Sequence, residues 1–147
     1  MGGDFAKTLN GGSVVALYGE LGAGKTTFAQ GIARGLGIKN RIISPTFIIV
    51  RSYKVRIKDK GLRIKNFYHI DLYRIEDEKG LEGLGLDEIL NDEESIIVIE
   101  WAEKLARLQT PERSDGGQGS KLPNKRIDIY FENIDDDKRK ITINKNS

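Results

Sequence analysis

Short apolar runs alternate with amphipathic stretches along this chain, and the alternation predicts an α/β fold. Residues 13–18 and 95–101 are β-branched and almost wholly apolar, as strands buried on both faces of a parallel sheet are. From residue 25 to residue 36 apolar side chains recur every fourth position, which predicts a helix, and Gly37 stands where a C-terminal cap belongs. Strand, glycine-rich loop and helix are therefore consecutive.

The remaining pattern extends the sheet. Aromatic and β-branched runs predict further strands at residues 46–53, 66–73, 126–131 and 140–143, and short helical patterns occupy residues 86–92 and 102–108. Residues 109–124, rich in Pro, Gly, Ser and charge, are typical of a mobile surface loop. We expect a single domain over residues 1–147 with a mixed sheet flanked by helices.

Composition excludes several classes of site. Lys plus Arg number 24 against 22 Asp plus Glu, a balance too even to indicate nucleic-acid binding by itself. The chain has no cysteine and a single histidine, His69, which excludes disulfides and cysteine or histidine zinc sites. Its apolar runs are far below membrane-spanning length, and its first residues lack a signal-peptide core, so we expect a cytoplasmic protein with no membrane contact.

The glycine-rich loop carries the strongest chemical signal. Residues 19–26, GELGAGKT, match the spacing of a phosphate-binding P-loop in full, between a predicted strand and a predicted helix. Glycines let successive backbone N–H groups face phosphate oxygens, Lys25 is expected to reach the β- and γ-phosphates, and Thr26 is expected to bind Mg²⁺. A guanine-reading Asn-Lys-x-Asp pattern fails by one position at Asp128, which disfavours GTP.

Two carboxylates are candidates for the metal and for hydrolysis. Glu100 closes an apolar strand, and Asp71 lies in HIDLYR; one would bind Mg²⁺ through water while the other orients the attacking water, and the residues leave that assignment open. Thr46, after a proline, is either a switch residue that senses the γ-phosphate or part of a turn. His69 and Trp101 are interpreted as core or strand residues.

Four motifs together carry a family resemblance. GELGAGKTTFAQGIARGLGI, SPTFIIV, HIDLYR and IVIEWAEKL, in this order, resemble the TsaE family, formerly called YjeE, small P-loop ATPases that serve bacterial threonylcarbamoyladenosine synthesis on tRNA. The resemblance runs from about residue 5 to residue 140. It implies that Thr26 and Glu100 bracket Mg²⁺ and that Thr46 and Asp71 contribute to hydrolysis. The residues that it implies for ATP binding are Leu21, Gly22, Ala23, Gly24, Lys25, Thr26 and Thr27.

The resemblance also implies protein partners, TsaB and TsaD, with ATP turnover resetting the complex after each modification cycle. Arg34 lies too far along its helix, and Arg74 is beside Asp71, so we expect no free arginine in cis at the phosphates. Turnover is therefore predicted to be slow in the isolated chain and to rise when partners dock near Thr46 and Trp101.

Two departures from the family pattern and one match to it lead to expectations. Family members usually begin with a further strand near the adenine, so we expect an incomplete base pocket here. Residues 138–140, Lys-Arg-Lys, occupy the place of a basic residue near the nucleotide. Residues 53–67 are expected to form a longer basic hairpin than usual.

The predicted hairpin has two interpretations. Strand alternation would gather its basic side chains on one face, where they either meet tRNA or an acidic partner patch or are simply solvated. Those side chains are Lys54, Arg56, Lys58, Arg63 and Lys65.

Two other functions remain open at the level of sequence. A small-molecule P-loop kinase would need an arginine-rich lid, and none is visible in the sequence. A nucleotide-gated binding module would use ATP to order the Thr46 segment, with hydrolysis incidental.

Overall fold

Six strands form one mixed sheet in the computed structural model, which describes residues 2–39, 42, 48–56, 64–108 and 122–146. In chain order they are β1 (Val14–Tyr18), β2 (Val50–Lys54), β3 (Asn66–Asp71), β4 (Ser95–Glu100), β5 (Arg126–Asn133) and β6 (Arg139–Asn146). Across the sheet their order is β2-β3-β4-β1-β5-β6. The pairs among β3, β4, β1 and β5 are parallel, while β2 and β6 run antiparallel at the edges, which confirms the predicted mixed sheet.

Helices cover both faces of the sheet. They are α1 (Gly2–Ala6), α2 (Lys25–Gly35), α3 (Leu86–Leu90) and α4 (Glu103–Leu108), and a 3₁₀ turn lies at Glu78–Leu81. Successive residues of a strand point to opposite faces, so Leu17 and Val98 pack on the α1 and α2 side, whereas Ala16 and Ile99 pack on the α3 side. Gly37 has φ 77°, as the predicted helix cap requires. Among the described residues, no helix is long and apolar enough to cross a membrane.

The strand predicted at residues 46–53 begins later in the structure than in the prediction. β2 begins only at Val50, because Ile49 has a left-handed backbone, φ 73°, and the N–H of Val50 donates to the carbonyl of Ile48. β2 then pairs with β3 in antiparallel register, as a hairpin requires. Residues 57–63 of the predicted hairpin and residues 109–121 of the predicted loop lie outside the described residues.

Helices α1 and α2 approach each other through glycine. A Cβ atom at Gly35 would lie 2.6 Å from Cβ of Ala6 and 2.7 Å from the carbonyl oxygen of Gly3, whereas a Cβ atom at Gly3 would meet its nearest neighbour at 3.7 Å. The close approach is what lets a five-residue helix pack against α2, whose N-terminus carries the phosphate-binding lysine.

Gly35→Ala is therefore expected to lower the free energy of unfolding by about 1–3 kcal/mol, because the added methyl group overpacks the contact between the helices. Gly3→Ala is the matched control, and it should be neutral or slightly stabilising, since its methyl group has room and alanine favours helix. Urea denaturation of both variants measures the difference. Equal stability of the two variants would contradict the close approach.

Candidate nucleotide-binding site

The P-loop and both candidate carboxylates meet at one edge of the sheet. Strands β1, β3 and β4 are parallel, so their carboxyl ends lie side by side. Register pairs Glu100 with Leu17 on one side and with Asp71 on the other. The loop after β1 leads directly into α2, which begins at Lys25. The fold thus brings together, at a single edge, groups that are up to about 80 residues apart in the sequence.

A cavity of about 320 Å³ lies at this edge. Its wall is formed by Leu21, Gly22, Gly24, Lys25, Thr26, Thr27, Asp71, Tyr73, Glu100, Trp101 and Arg139. Gly22 and Gly24 have φ of 78° and 105°, a backbone conformation that side chains with a Cβ rarely adopt and that turns successive N–H groups to one side. Of the seven residues predicted to bind ATP, six line the cavity, while Ala23 is buried in the core beneath the loop.

Lys25 is held by the loop that it belongs to. Its ammonium donates to the backbone carbonyls of Gly19 at 2.5 Å and Glu20 at 2.8 Å, and it lies 4.2 Å from the ring centroid of Trp101. Burial lowers the pKa of Lys25, and the nearby carboxylate of Glu100 acts in the opposite direction. The charge is thus buried against carbonyl dipoles and an aromatic face, and a polyphosphate would compensate it far better.

Glu100 joins the P-loop helix to the neighbouring strand. The hydroxyl of Thr26 donates to Oε1 of Glu100 at 2.7 Å, and Nε2 of His69 lies 2.5 Å from Oε2. Glu100 is 2% exposed and His69 is completely buried. His69 is a core residue, as interpreted from the sequence, but it also contacts the candidate metal ligand, which strand alternation alone did not indicate.

The Thr26 and Glu100 pair suits Mg²⁺ chemically. Both side chains offer hard oxygen donors, and Mg²⁺ is usually held by one or two protein groups together with water and substrate phosphates. No group of three or more His, Cys, Asp or Glu side chains that could hold a metal occurs in the described part of the chain. The residues present therefore fit a Mg²⁺ ion shared with phosphate rather than one enclosed by protein alone.

Asp71 lies beside Glu100 on the adjacent strand. It is 3% exposed, and its Oδ1 accepts a hydrogen bond from the backbone N–H of Tyr73 at 2.9 Å. Both carboxylates reach the same cavity, so either one can serve the metal or the attacking water, as the sequence left open. Thr46, the third residue predicted to contribute to hydrolysis, lies outside the described residues.

Arg139 lines the cavity although it was not among the predicted site residues; the sequence placed only its run, residues 138–140, near the nucleotide. β5 runs parallel to β1 and ends at the edge where the P-loop lies, and antiparallel pairing sets Arg139, the first residue of β6, opposite Asn133 there. Its Nη1 atom would be 2.8 Å from a Cβ atom at Gly24. The expectation that no arginine reaches the site in cis is therefore wrong, because strand pairing delivers an arginine from 115 residues beyond the loop. The Lys-Arg-Lys run at residues 138–140 was the available signal.

A second cavity, of about 400 Å³, adjoins the first. The two share Gly24, Thr27 and Arg139, and the second continues along α2 past Phe28 toward Arg34. Its apolar and glycine-lined wall offers room for a planar group next to the phosphate-binding loop.

Basic residues of the predicted hairpin are only partly described. Lys54, Arg56 and Lys65 are exposed, and the ammonium of Lys65 lies 2.7 Å from a carboxylate oxygen of Glu94. Lys58 and Arg63 lie outside the described residues. The basic face therefore stays a prediction. One of its positive charges, that of Lys65, is paired with Glu94.

Comparison with known proteins points to one family. Residues 1–141 match the family profile described as threonylcarbamoyl adenosine biosynthesis protein TsaE. The chain is 40% identical over 131 residues to the TsaE protein of Bacillus subtilis, covering 89% of this chain and 68% of that protein. It is 34% identical over 137 residues to the TsaE protein of Treponema pallidum, covering 93% and 85%. The crystal structure of Bacillus subtilis YdiB superposes with a TM-score of 0.70 at 29% identity, covering 99% of this chain and 76% of YdiB.

Proposed function

Since the chain belongs to the TsaE family, we propose that it is a Mg²⁺-dependent ATP-binding and ATP-hydrolysing protein that acts in N⁶-threonylcarbamoyladenosine modification of tRNA. One observation carries the proposal: six residues of the P-loop and the start of α2, Lys25 and Thr26 among them, line a single cavity together with Glu100. These are the parts that phosphoryl chemistry needs, because catalysis there is mostly positioning and charge neutralisation.

Each part has a role in the proposed reaction. Backbone N–H groups of the loop and the N-terminus of α2 bind the phosphates, and Lys25 exchanges its contacts with the carbonyls of Gly19 and Glu20 for phosphate oxygens. Thr26 and Glu100 hold Mg²⁺, which neutralises phosphate charge when it is bound. Asp71 orients the attacking water, and Thr46 senses the γ-phosphate. The second cavity receives the nucleoside, with Arg139 between it and the phosphates.

The partners are proposed to be TsaB and TsaD, with ATP turnover resetting their complex. Leu21 is 71% exposed and Tyr73 is 42% exposed at the cavity wall, and the Tyr73 ring lies 5.1 Å from that of Trp101. Exposed apolar and aromatic side chains in one place favour a protein contact, since aromatic anchors dominate such interfaces. A partner docked there would close the cavity and exclude water from the phosphates.

Turnover by the isolated chain is proposed to be slow and to rise on docking. Arg139 supplies one cation in cis, so stimulation is proposed to rest on closure of the cavity around the nucleotide rather than on supply of a missing arginine. In that case a partner raises kcat, because it completes a site that already binds ATP.

The test combines nucleotide binding with turnover. We expect ATP to bind more tightly with Mg²⁺ than in EDTA, phosphate release to be slow alone, and TsaB with TsaD to raise it at least tenfold. Thr26→Ala should remove most of the Mg²⁺-dependent part of the affinity. Thr8→Ala should not, because the Thr8 hydroxyl donates to the carbonyl of Phe5 and Thr8 does not line the cavity.

Other outcomes would support other functions. Phosphoryl transfer to a small acceptor in place of phosphate release would indicate a kinase. ATP-dependent partner binding with no turnover at any partner concentration would indicate a nucleotide-gated module. A chain that binds no ATP under any condition would overturn the proposal.

A further inference from the structure

A buried histidine connects the candidate metal-binding carboxylate to the middle of the sheet. Nε2 of His69, on β3, lies 2.5 Å from Oε2 of Glu100, on β4. The other carboxylate oxygen, Oε1, accepts the hydroxyl proton of Thr26. Each oxygen of Glu100 therefore has its own partner, one from a strand and one from the P-loop helix.

Strand register builds this contact. His69 is paired with Val98, so its side chain lies on the same face of the sheet as that of Glu100, two residues further along β4. Both strands are buried, and a shift of one residue would turn either side chain to the opposite face. The histidine is thus held by the sheet itself, and it does not line the cavity.

The hydrogen-bonding pattern selects one form of the ring. An ionised carboxylate only accepts hydrogen bonds, so Nε2 of His69 must carry the proton that it shares with Glu100. The other ring nitrogen, Nδ1, is buried and has no hydrogen-bond partner in the part of the chain that the structure describes. A proton on Nδ1 would be a buried donor without an acceptor, which is costly. The neutral Nε2–H tautomer avoids that cost.

We propose that His69 is a positioning residue for the magnesium site: by donating to Oε2 of Glu100, it keeps Oε1 directed toward Thr26, where the ion would be held. This inference rests on the proposed nucleotide function and adds to it a residue outside the cavity wall. Without the donor, a buried carboxylate oxygen loses its partner, and the carboxylate is free to rotate. Loss of such a supporting hydrogen bond typically lowers metal affinity by about 10- to 100-fold.

Three variants test the role. His69→Leu removes the donor, His69→Gln can restore an N–H donor near the Nε2 position, and Phe67→Leu alters a fully buried residue on the same strand and face. The measured quantity is the Mg²⁺ concentration that gives half-maximal tightening of ATP binding. We expect His69→Leu to raise it at least about tenfold, His69→Gln to bring it back within about threefold of wild type, and Phe67→Leu to leave it unchanged.

The controls separate positioning from general damage. ATP affinity in EDTA should be the same in wild type and all three variants, and thermal unfolding identifies any variant that is merely unstable. A folded His69→Leu protein with the wild-type Mg²⁺ requirement would overturn the inference, as would an equal shift in His69→Leu and His69→Gln. A wild type that binds ATP equally with and without Mg²⁺ would refute this inference while leaving ATP binding itself intact.

Spectroscopy on the unmutated protein gives a readout that does not depend on the variants folding. His69 is the only histidine of the chain, so a long-range ¹H–¹⁵N spectrum of imidazole nitrogens contains one ring. We expect the Nε2–H tautomer, with ring resonances that move when an ATP analogue is added with Mg²⁺ and stay in place when the analogue is added in EDTA. An Nδ1–H tautomer, or a ring that does not respond to Mg²⁺, would overturn the proposal.

Discussion

Replacing Lys25 by alanine is expected to weaken ATP binding by at least about 100-fold. The ammonium is the buried cation of the P-loop, and in the proposed complex it makes charge-assisted hydrogen bonds to phosphate, each worth about 1.5–3 kcal/mol. Two such bonds correspond to a loss of about two to four powers of ten in affinity. Titration of the variant with a fluorescent ATP analogue, with and without Mg²⁺, measures the loss.

Lys7→Ala is the matched control for the loss of a positive charge. The Lys7 side chain is 77% exposed and forms a long ion pair with Asp4, 3.8 Å between charged atoms, so its removal should not change ATP affinity. Lys25→Ala also removes the contacts with Gly19 and Glu20, and its circular dichroism and unfolding midpoint must be compared with those of wild type. Equal ATP affinity in folded Lys25→Ala and wild type would exclude the P-loop assignment.

Replacing Glu100 by glutamine is expected to reduce ATP hydrolysis by about 10²- to 10³-fold, the usual effect of removing one stabilising group from a preorganised site. Glutamine keeps the volume and can still bond to Thr26 and His69, so the fold should persist while the negative charge that holds Mg²⁺ is lost. Asp71→Asn should also lose hydrolysis, because this carboxylate lies at the same cavity. Single-turnover phosphate release in the presence of partners measures both variants.

The two carboxylate variants should differ in their metal dependence. Glu100→Gln should require more Mg²⁺ for tight ATP binding, whereas Asp71→Asn should bind Mg²⁺ and ATP as wild type does, if Asp71 serves the attacking water. Glu94→Gln is the control, since Glu94 pairs with Lys65 at the surface and not with the cavity. Wild-type rates in both Glu100→Gln and Asp71→Asn would show that the carboxylate roles are wrong.

The local parts of the protein follow from the sequence by itself. β1 and β4 are buried on both faces, and such strands consist of apolar β-branched residues. α2 is buried on one side, which places an apolar residue at every fourth position. Both kinds of element could therefore be predicted from the sequence. The phosphate loop could also be predicted from the sequence. The positive φ angles at Gly22 and Gly24 exclude most other residue types, so glycines stand at set distances before Lys25. Such signals are local, since each depends on neighbours within a few positions.

Only the tertiary structure decided which distant residues share the site. Glu100 meets Thr26 across 74 positions and His69 across 31, and Arg139 returns to the P-loop through the pairing of β6 with β5. Strand order and register set these contacts, and neither can be predicted from the periodicity of apolar residues along the sequence. The tertiary structure also decided where β2 starts. Residues 46–53 have the composition of a strand throughout, but the left-handed backbone at Ile49 places the start of β2 at Val50. Local chemistry thus specified the phosphate loop, whereas long-range pairing selected the charged groups that surround it.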